Sequence, residues 1–220
     1  MREGLNDTNQ QGQKLGKKGK ITRERILSAS RELIADPACE FSLSAVARHT
    51  GLRMSSIYTY FADLPDLFLA VLDPVAREAE EAYLTLLRTR WEDGEIDARA
   101  TELVQAFYAY WERHSRLLHL RNRLADQHER SVLLQRIAMA RTVVRLLGWQ
   151  MGGDPDGATG EPYDLASVLY TGLERVVTIA TDTELKACYP ADIKPRFEGA
   201  TLRQQSRLLA LAIKDQRAAA

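Results

Sequence analysis

The four histidines and two cysteines are the residues of this 220-residue chain best able to bind a metal or attack a substrate. Neither type clusters. His114 and His119 stand five apart, one beyond the spacing that puts two imidazoles on one helix face, and no carboxylate joins them at zinc spacing. No Gly-x-Ser-x-Gly occurs, and the Gly-rich stretch 152–160 lacks the Lys-Ser/Thr of a phosphate loop. Asp154 and Asp156 begin a calcium-loop pattern without its remaining ligands. Cys39 and Cys188 are too few and too far apart for a disulfide scaffold. Cys39 reads as a buried structural thiol in preference to a redox sensor. The expectation is a protein that is not an enzyme, with no catalytic residue, metal or cofactor.

The informative chemistry is made of hydroxyls. From Phe41 to Phe61 runs Phe41-Ser42-Leu43-Ser44-Ala45-Val46-Ala47-Arg48-His49-Thr50-Gly51-Leu52-Arg53-Met54-Ser55-Ser56-Ile57-Tyr58-Thr59-Tyr60-Phe61. Two short helices joined by a tight Gly-containing turn make a helix-turn-helix. Ala47 is small, as a close helix crossing demands, and Gly51 supplies the left-handed backbone of the turn. Val46, Leu52 and Ile57 fill the wedge between the helices. Ser55, Ser56, Tyr58, Thr59 and Tyr60 are left to the outer face, where hydroxyls can meet base edges or phosphates in a DNA major groove. A bare Ala-x-x-x-Gly pattern, without these neighbours, would read sooner as a solvent-facing hairpin in an ordinary bundle.

The elements that position this stretch are helical throughout. Residues 1–20 are rich in Gly, Gln, Asn and Lys without apolar periodicity and read as a flexible basic arm. Thr22 is expected to cap a first helix whose Ile26, Leu27, Leu33 and Ile34 share a face, with Asp36-Pro37 as its stop. Pro65 suits the first turn of a helix running towards Arg90, which Pro74 should kink or split. Further helices are expected at about 97–114, 116–126, 129–151, 163–186 and 200–216, with the break at Gly152–Gly160. The fold class is all-α, about nine helices, in three parts: the arm at 1–20, a helix-turn-helix domain at 21–64, and a helical body at 65–220.

Composition agrees. With 45% hydrophobic and 27% charged residues the chain can bury a core, and no apolar run approaches a membrane span. Met1–Asp7 has no apolar stretch of signal-peptide type, so the cytoplasm is the expected location. Thirty basic residues balance thirty acidic ones, but unevenly. Residues 1–35 hold eight basic and four acidic groups, a net +4, while residues 73–220 hold 20 and 22, a net −2. A basic end on a neutral body fits a local anionic partner.

From Thr22 to about residue 72 the chain resembles the DNA-binding domain of the TetR family of bacterial regulators. The resemblance is carried by Phe41-Ser42-Leu43, by Ala47 to Gly51, by Tyr58-Thr59-Tyr60-Phe61 and by Asp66-Leu67-Phe68. It implies that Met54, Ser55, Ser56 and Thr59 face bases, that Tyr58 and Tyr60 neighbour phosphates or bases, and that Ser42 lies near a phosphate. Thr22 and the arm residues Lys17, Lys18 and Lys20 would reach an adjacent groove, and Phe61 would be core. Two positions depart from the family pattern. Arg53 replaces the usual capping Ser or Thr before the recognition helix, losing a cap worth roughly 1 kcal/mol while offering a guanine or phosphate contact. Leu64 stands where the family often has Lys, removing a phosphate contact.

For the body the resemblance implies an effector site and a dimer surface. Phe107, Tyr110, Trp111, His114, Arg121 and Asn122 are the candidate ligand residues, an apolar lining with a few polar anchors. Taken one at a time, the aromatics read first as core, and the Arg121–Asn122 pair as a salt bridge or exposed group. The last two helices would pair with their copies in a second subunit, and a two-fold dimer would read two half-sites of an inverted repeat about one DNA turn apart. The resulting expectation is a homodimeric transcriptional regulator of double-stranded DNA, a repressor released by a largely apolar small molecule, with the Pro74 helix as lever. The alternatives are a small-molecule-binding or catalytic helical protein with a vestigial helix-turn-helix, and a DNA-binding protein without sequence preference.

Overall fold

The structure, a computed structural model, describes residues 8–190 and 199–219. Those residues form ten α-helices and no strand beyond one isolated bridge between Thr8 and Lys14. They are α1 (Lys17–Ala35), α2 (Leu43–Thr50), α3 (Met54–Tyr60), α4 (Leu64–Ala82), α5 (Ile96–Arg113), α6 (Ser115–Asp126), α7 (Arg130–Gln150), α8 (Glu161–Thr181), α9 (Thr183–Cys188) and α10 (Thr201–Ala219). The all-α expectation therefore holds, and the chain divides into two compact units. One comprises Met1–Val75 with Arg123–Leu133, the other Ala76–Asn122 with Leu134–Ala220.

In the first unit α1 packs on α2, and α2 on α3. Ile26, Leu27, Leu33, Val46, Ile57, Phe61, Leu67 and Phe68 are buried, and Phe41 meets Phe68 edge-on at 6.4 Å between centroids. The first helix starts a turn earlier than its apolar period suggests. Lys17, Lys18 and Lys20 belong to α1 rather than to a flexible arm, and Gly16 is the N-cap. Thr22 is thus not a cap; its hydroxyl donates to the Lys18 carbonyl one turn back, 3.0 Å away. Residues 8–15 also have defined places. Met1–Asp7 of the expected arm lies outside the described residues.

In the second unit α5, α8 and α10 pack against one another. Three expected boundaries move. Pro74 sits inside a single helix that ends at Ala82, and Leu84–Leu87 continues as a 3-10 turn, so the helix does not run on to Arg90. The expected 163–186 helix divides at Asp182, whose carboxylate accepts the Leu185 amide at 2.9 Å and so caps α9. α8 in turn begins at Glu161, with Pro162 in its first turn, where a missing amide costs nothing.

A polar knot secures one end of this unit. The buried Gln150 amide donates to the Leu87 and Thr89 carbonyls and accepts the Trp91 amide. Arg217 of α10 donates to the carbonyls of Gln150 and Trp91, both at 2.8 Å, and to Asp93 at 2.6 Å. Among the described residues no buried side-chain nitrogen or oxygen of the knot is left without a partner, which is the condition for burying such groups without loss. Nearby, the ring of Tyr163 lies against three glycines. A Cβ on Gly148 would come within 2.7 Å of its Cε1, and one on Gly153 or Gly157 within 2.8 Å of its hydroxyl. The Tyr163 hydroxyl donates to the Asp154 carbonyl, fixing the 152–160 loop.

Candidate nucleic-acid interface and aromatic cluster

The geometry of the α2–α3 pair starts with its turn. Gly51 has φ 65° and ψ 20°, the left-handed region where a side chain is disfavoured. Its amide donates to the Arg48 carbonyl at 3.2 Å and the Leu52 amide to Ala47 at 3.0 Å, the paired bonds of a Schellman ending. Arg25 of α1 donates to the Thr50 carbonyl, and His49 contacts Glu32 of α1 at 2.8 Å, so α1 braces the turn from behind. At the other end of α2 the Ser42 hydroxyl accepts the Ala45 amide at 3.2 Å and bonds the Ser44 hydroxyl at 3.1 Å. Ser42 is therefore an N-cap as well as a residue expected near phosphate.

The second helix of the pair is only seven residues long. Ile57 is its one buried side chain, and with Val46 it fills the wedge as expected; Leu52 is half-buried. Ser55 and Thr59 are exposed, Tyr58 is 49% exposed despite its aromatic ring, and Met54, Ser56 and Tyr60 are half-buried. Arg53 stands at the N-cap with no side-chain cap bond, its carbonyl accepting the Ser56 amide at 2.9 Å, and its own side chain is exposed. Phe61 closes the helix from the core, with the Arg23 guanidinium 5.2 Å above its ring. The arrangement can offer hydroxyls, a phenol and one guanidinium from a single narrow face.

The second candidate site is built in the other unit. Phe107, Tyr110 and Trp111 of α5 are all buried. Tyr83 packs edge-on against Phe107 at 4.9 Å and Tyr110 at 5.2 Å, and Tyr170 of α8 meets Phe107 at 6.2 Å. His114 lies 5.2 Å from the Tyr110 ring and contacts Glu78 at 3.0 Å. The Arg121 guanidinium sits 5.3 Å over the Trp111 ring, donates to Asn122 Oδ1 at 2.9 Å and pairs with Glu174 of α8 at 3.1 Å. All six residues singled out in the sequence thus come together, and Arg121 is a buried ion-pair partner. The sequence reading did not single out Tyr170, Glu174, Arg136, Gln135 or Met139. Glu174 also pairs with Arg136 at 3.2 Å, and Arg121 and Gln135 both contact the Met139 sulfur. Gln135 Oε1 is buried with no hydrogen-bond partner among the described residues.

Electrostatically this cluster holds its protons. Burial pushes the Tyr110 hydroxyl up to about 12 and raises Tyr83 and Tyr170 as well, so all three stay neutral at physiological pH. The Glu78 carboxyl is lowered, first by its hydrogen bond with His114.

No family model matches the chain. No curated protein matches it either. Among solved structures it is similar to the crystal structure of a TetR-family regulator from Streptomyces coelicolor A3, at 20% identity and a TM-score of 0.47, over 91% of this chain and 99% of that one.

Cys39 is exposed rather than buried, because it follows the Asp36-Pro37 stop of α1 instead of lying in a helix face. Its thiol donates to Asp36 at 3.3 Å, and that bond raises its pKa, which opposes the thiolate a redox sensor needs. Among the described residues no group of three His, Cys, Asp or Glu side chains is placed to hold a metal, and no helix is long and apolar enough to cross a membrane.

Proposed function

We propose that this chain is a sequence-specific DNA-binding transcriptional regulator, working in the cytoplasm as a homodimer on an inverted-repeat operator. The observation that carries the reading is α3 itself. It buries only Ile57, is held at a fixed angle by the Gly51 turn and α1, and turns Ser55, Tyr58 and Thr59 to solvent. A short polar helix on a rigid base fits a major groove, with Met54, Ser55, Ser56 and Thr59 towards bases, and Ser42, Tyr58, Tyr60 and Arg53 towards phosphates or guanine. Dimerisation is supported by the outward apolar side chains of α8 and α10, Val168 at 68%, Leu208 at 52% and Leu211 at 53% exposure.

The regulator is a repressor released by a small, largely apolar effector that binds among Phe107, Tyr110, Trp111, His114, Arg121 and Asn122. Release is a population shift: the effector favours a dimer whose recognition helices are wrongly spaced for the operator. His114 supports this, since its contact with Glu78 joins the aromatic cluster to α4, the helix that carries Pro74.

Selection of randomised duplex DNA by the purified protein at near-physiological salt tests the DNA reading. Recovery of one inverted repeat, lost by Tyr58→Ala with Thr59→Ala, is the expected result. Binding with a steep salt dependence but no preferred site would replace this reading with non-specific DNA binding. Effector release fails if no compound that binds the body changes affinity for the recovered repeat.

A further inference from the structure

We infer that Gln10 is a positioning residue of the recognition helix, holding its C-terminal end from outside; the DNA consequence of this rests on the reading just proposed. A helix leaves its last carbonyls unpaired, and in a seven-residue helix those carbonyls are a large share of its backbone bonds. Here the Gln10 backbone amide donates to the Thr59 carbonyl at 3.1 Å. The Gln10 side-chain amide donates to the Tyr60 carbonyl at 3.2 Å and to Asp66 of α4 at 2.8 Å. Asp66 also accepts the Ala62 amide at 3.0 Å, so one glutamine ties the end of α3, the following turn and the start of α4 together.

The segment bearing Gln10 is shaped for this. Asn9 Oδ1 accepts the amides of Gln11 and Gln13 at 3.0 and 2.9 Å, and the Asn9 amide donates to the Gln13 carbonyl at 2.9 Å. Gly12, at φ 76°, takes the left-handed position that closes the turn. Leu15 is buried next to Gly19 of α1 and anchors the far side. This Asn9–Gln13 turn stands at the Thr59 end of the exposed face, with Gln11, Gln13 and Lys14 exposed beside it. The N-terminal segment therefore acts through geometry, in addition to any charge carried by Lys14, Lys17 and Lys18.

The test compares wild type, Gln10→Ala and a triple Lys14→Gln/Lys17→Gln/Lys18→Gln variant. Each is titrated with the selected duplex and with a random duplex of equal length across a salt series. Amide hydrogen exchange at Phe61 and Ala62 is followed without DNA. Gln10→Ala keeps the backbone bond to Thr59 but loses the side-chain bonds to the Tyr60 carbonyl and the Asp66 carboxylate, which should weaken binding to the selected duplex about ten-fold. Its affinity for random duplex and its salt slope should stay at wild-type values, with faster exchange at Phe61 and Ala62. The triple variant should weaken both duplexes alike and flatten the salt slope by about two to three units. Equal loss by Gln10→Ala on both duplexes, or unchanged exchange, overturns the proposal. If wild type selects no duplex, the DNA reading fails on its own, and the exchange comparison still decides whether Gln10 holds the helix end.

Discussion

Removing Glu174 should destabilise the chain far more than removing its second partner, Arg136. One carboxylate, 12% exposed, serves two guanidinium groups: Arg121, 3% exposed, and Arg136, 30% exposed. Glu174→Ala leaves Arg121 buried with neutral partners, Asn122 Oδ1, the Met139 sulfur and the Trp111 ring, and with another cation close by. Breaking a buried pair from one side costs about 3–5 kcal/mol, most of it the uncompensated charge. Arg136→Ala instead leaves the Arg121–Glu174 pair intact and removes a partly solvated contact, a cost of about 1 kcal/mol or less. For a chain of this size about 1 kcal/mol moves Tm by roughly 2–4 °C, so the two variants should fall by roughly 6–20 °C and by at most about 4 °C. Thermal unfolding followed by circular dichroism, with tryptophan fluorescence as a local report because Arg121 lies over Trp111, separates them. An Arg121→Met/Glu174→Leu double variant, which removes both charges, should recover most of the loss. The reasoning fails if Glu174→Ala lies within about 1 kcal/mol of wild type, or if the double variant is no more stable than the single.

Two glycines should answer to alanine differently. Gly148→Ala drives its Cβ into the Tyr163 ring and should cost about 1–3 kcal/mol, whereas Gly172→Ala meets only ordinary contacts at 3.8 Å from Gln205 and should be neutral or stabilising by up to about 1 kcal/mol. Denaturant midpoints measure both, and equal effects would refute the packing described around Tyr163. Stability should also fall in acid through Glu78 and Glu80, whose carboxyls are held below the usual 4.5 by hydrogen bonds from His114 and from Arg88. A carboxylate lowered by folding stabilises fully above its unfolded pKa, and the contribution is lost as pH falls through the folded value. The midpoint should therefore drop on acidification below about pH 4.5, and less steeply in a Glu78→Gln/Glu80→Gln variant.

The helix-turn-helix was legible because its determinants are local. Ala47, Gly51 and the apolar Val46 and Ile57 declare a crossing, a turn and a wedge within a dozen residues. The start of α1 was not, because Lys17, Lys18, Gly19 and Lys20 bear neither an apolar face nor a capping residue, and only their attachment to Ile26 and Leu27 makes them helical. The Gln10 contacts depend largely on main-chain groups fifty residues away, which side-chain type does not reveal. Glu174 was missed for a related reason. One carboxylate on an amphipathic helix reads as solvent-facing unless the rotation of α8 against Arg121 is known. Asp182 carries a local signal, an N-cap residue type with Glu184 in the following turn, but the apolar period running across it masks the break.

The reach of α10 bears on how the protein is made. Its Lys214 pairs with Asp97, 117 residues earlier, and its Arg217 with Asp93, 124 residues earlier, while its apolar face packs on α5. At roughly 5–20 residues per second, a ribosome needs about 6–25 s to pass from Asp93 to Arg217. Throughout that interval α5 is without its partner, its buried phenylalanine and tryptophan open to chaperones or to other nascent chains. The α1–α3 group needs no such wait. Its helices all fall between Lys17 and Tyr60, so the two halves of the molecule mature on different clocks.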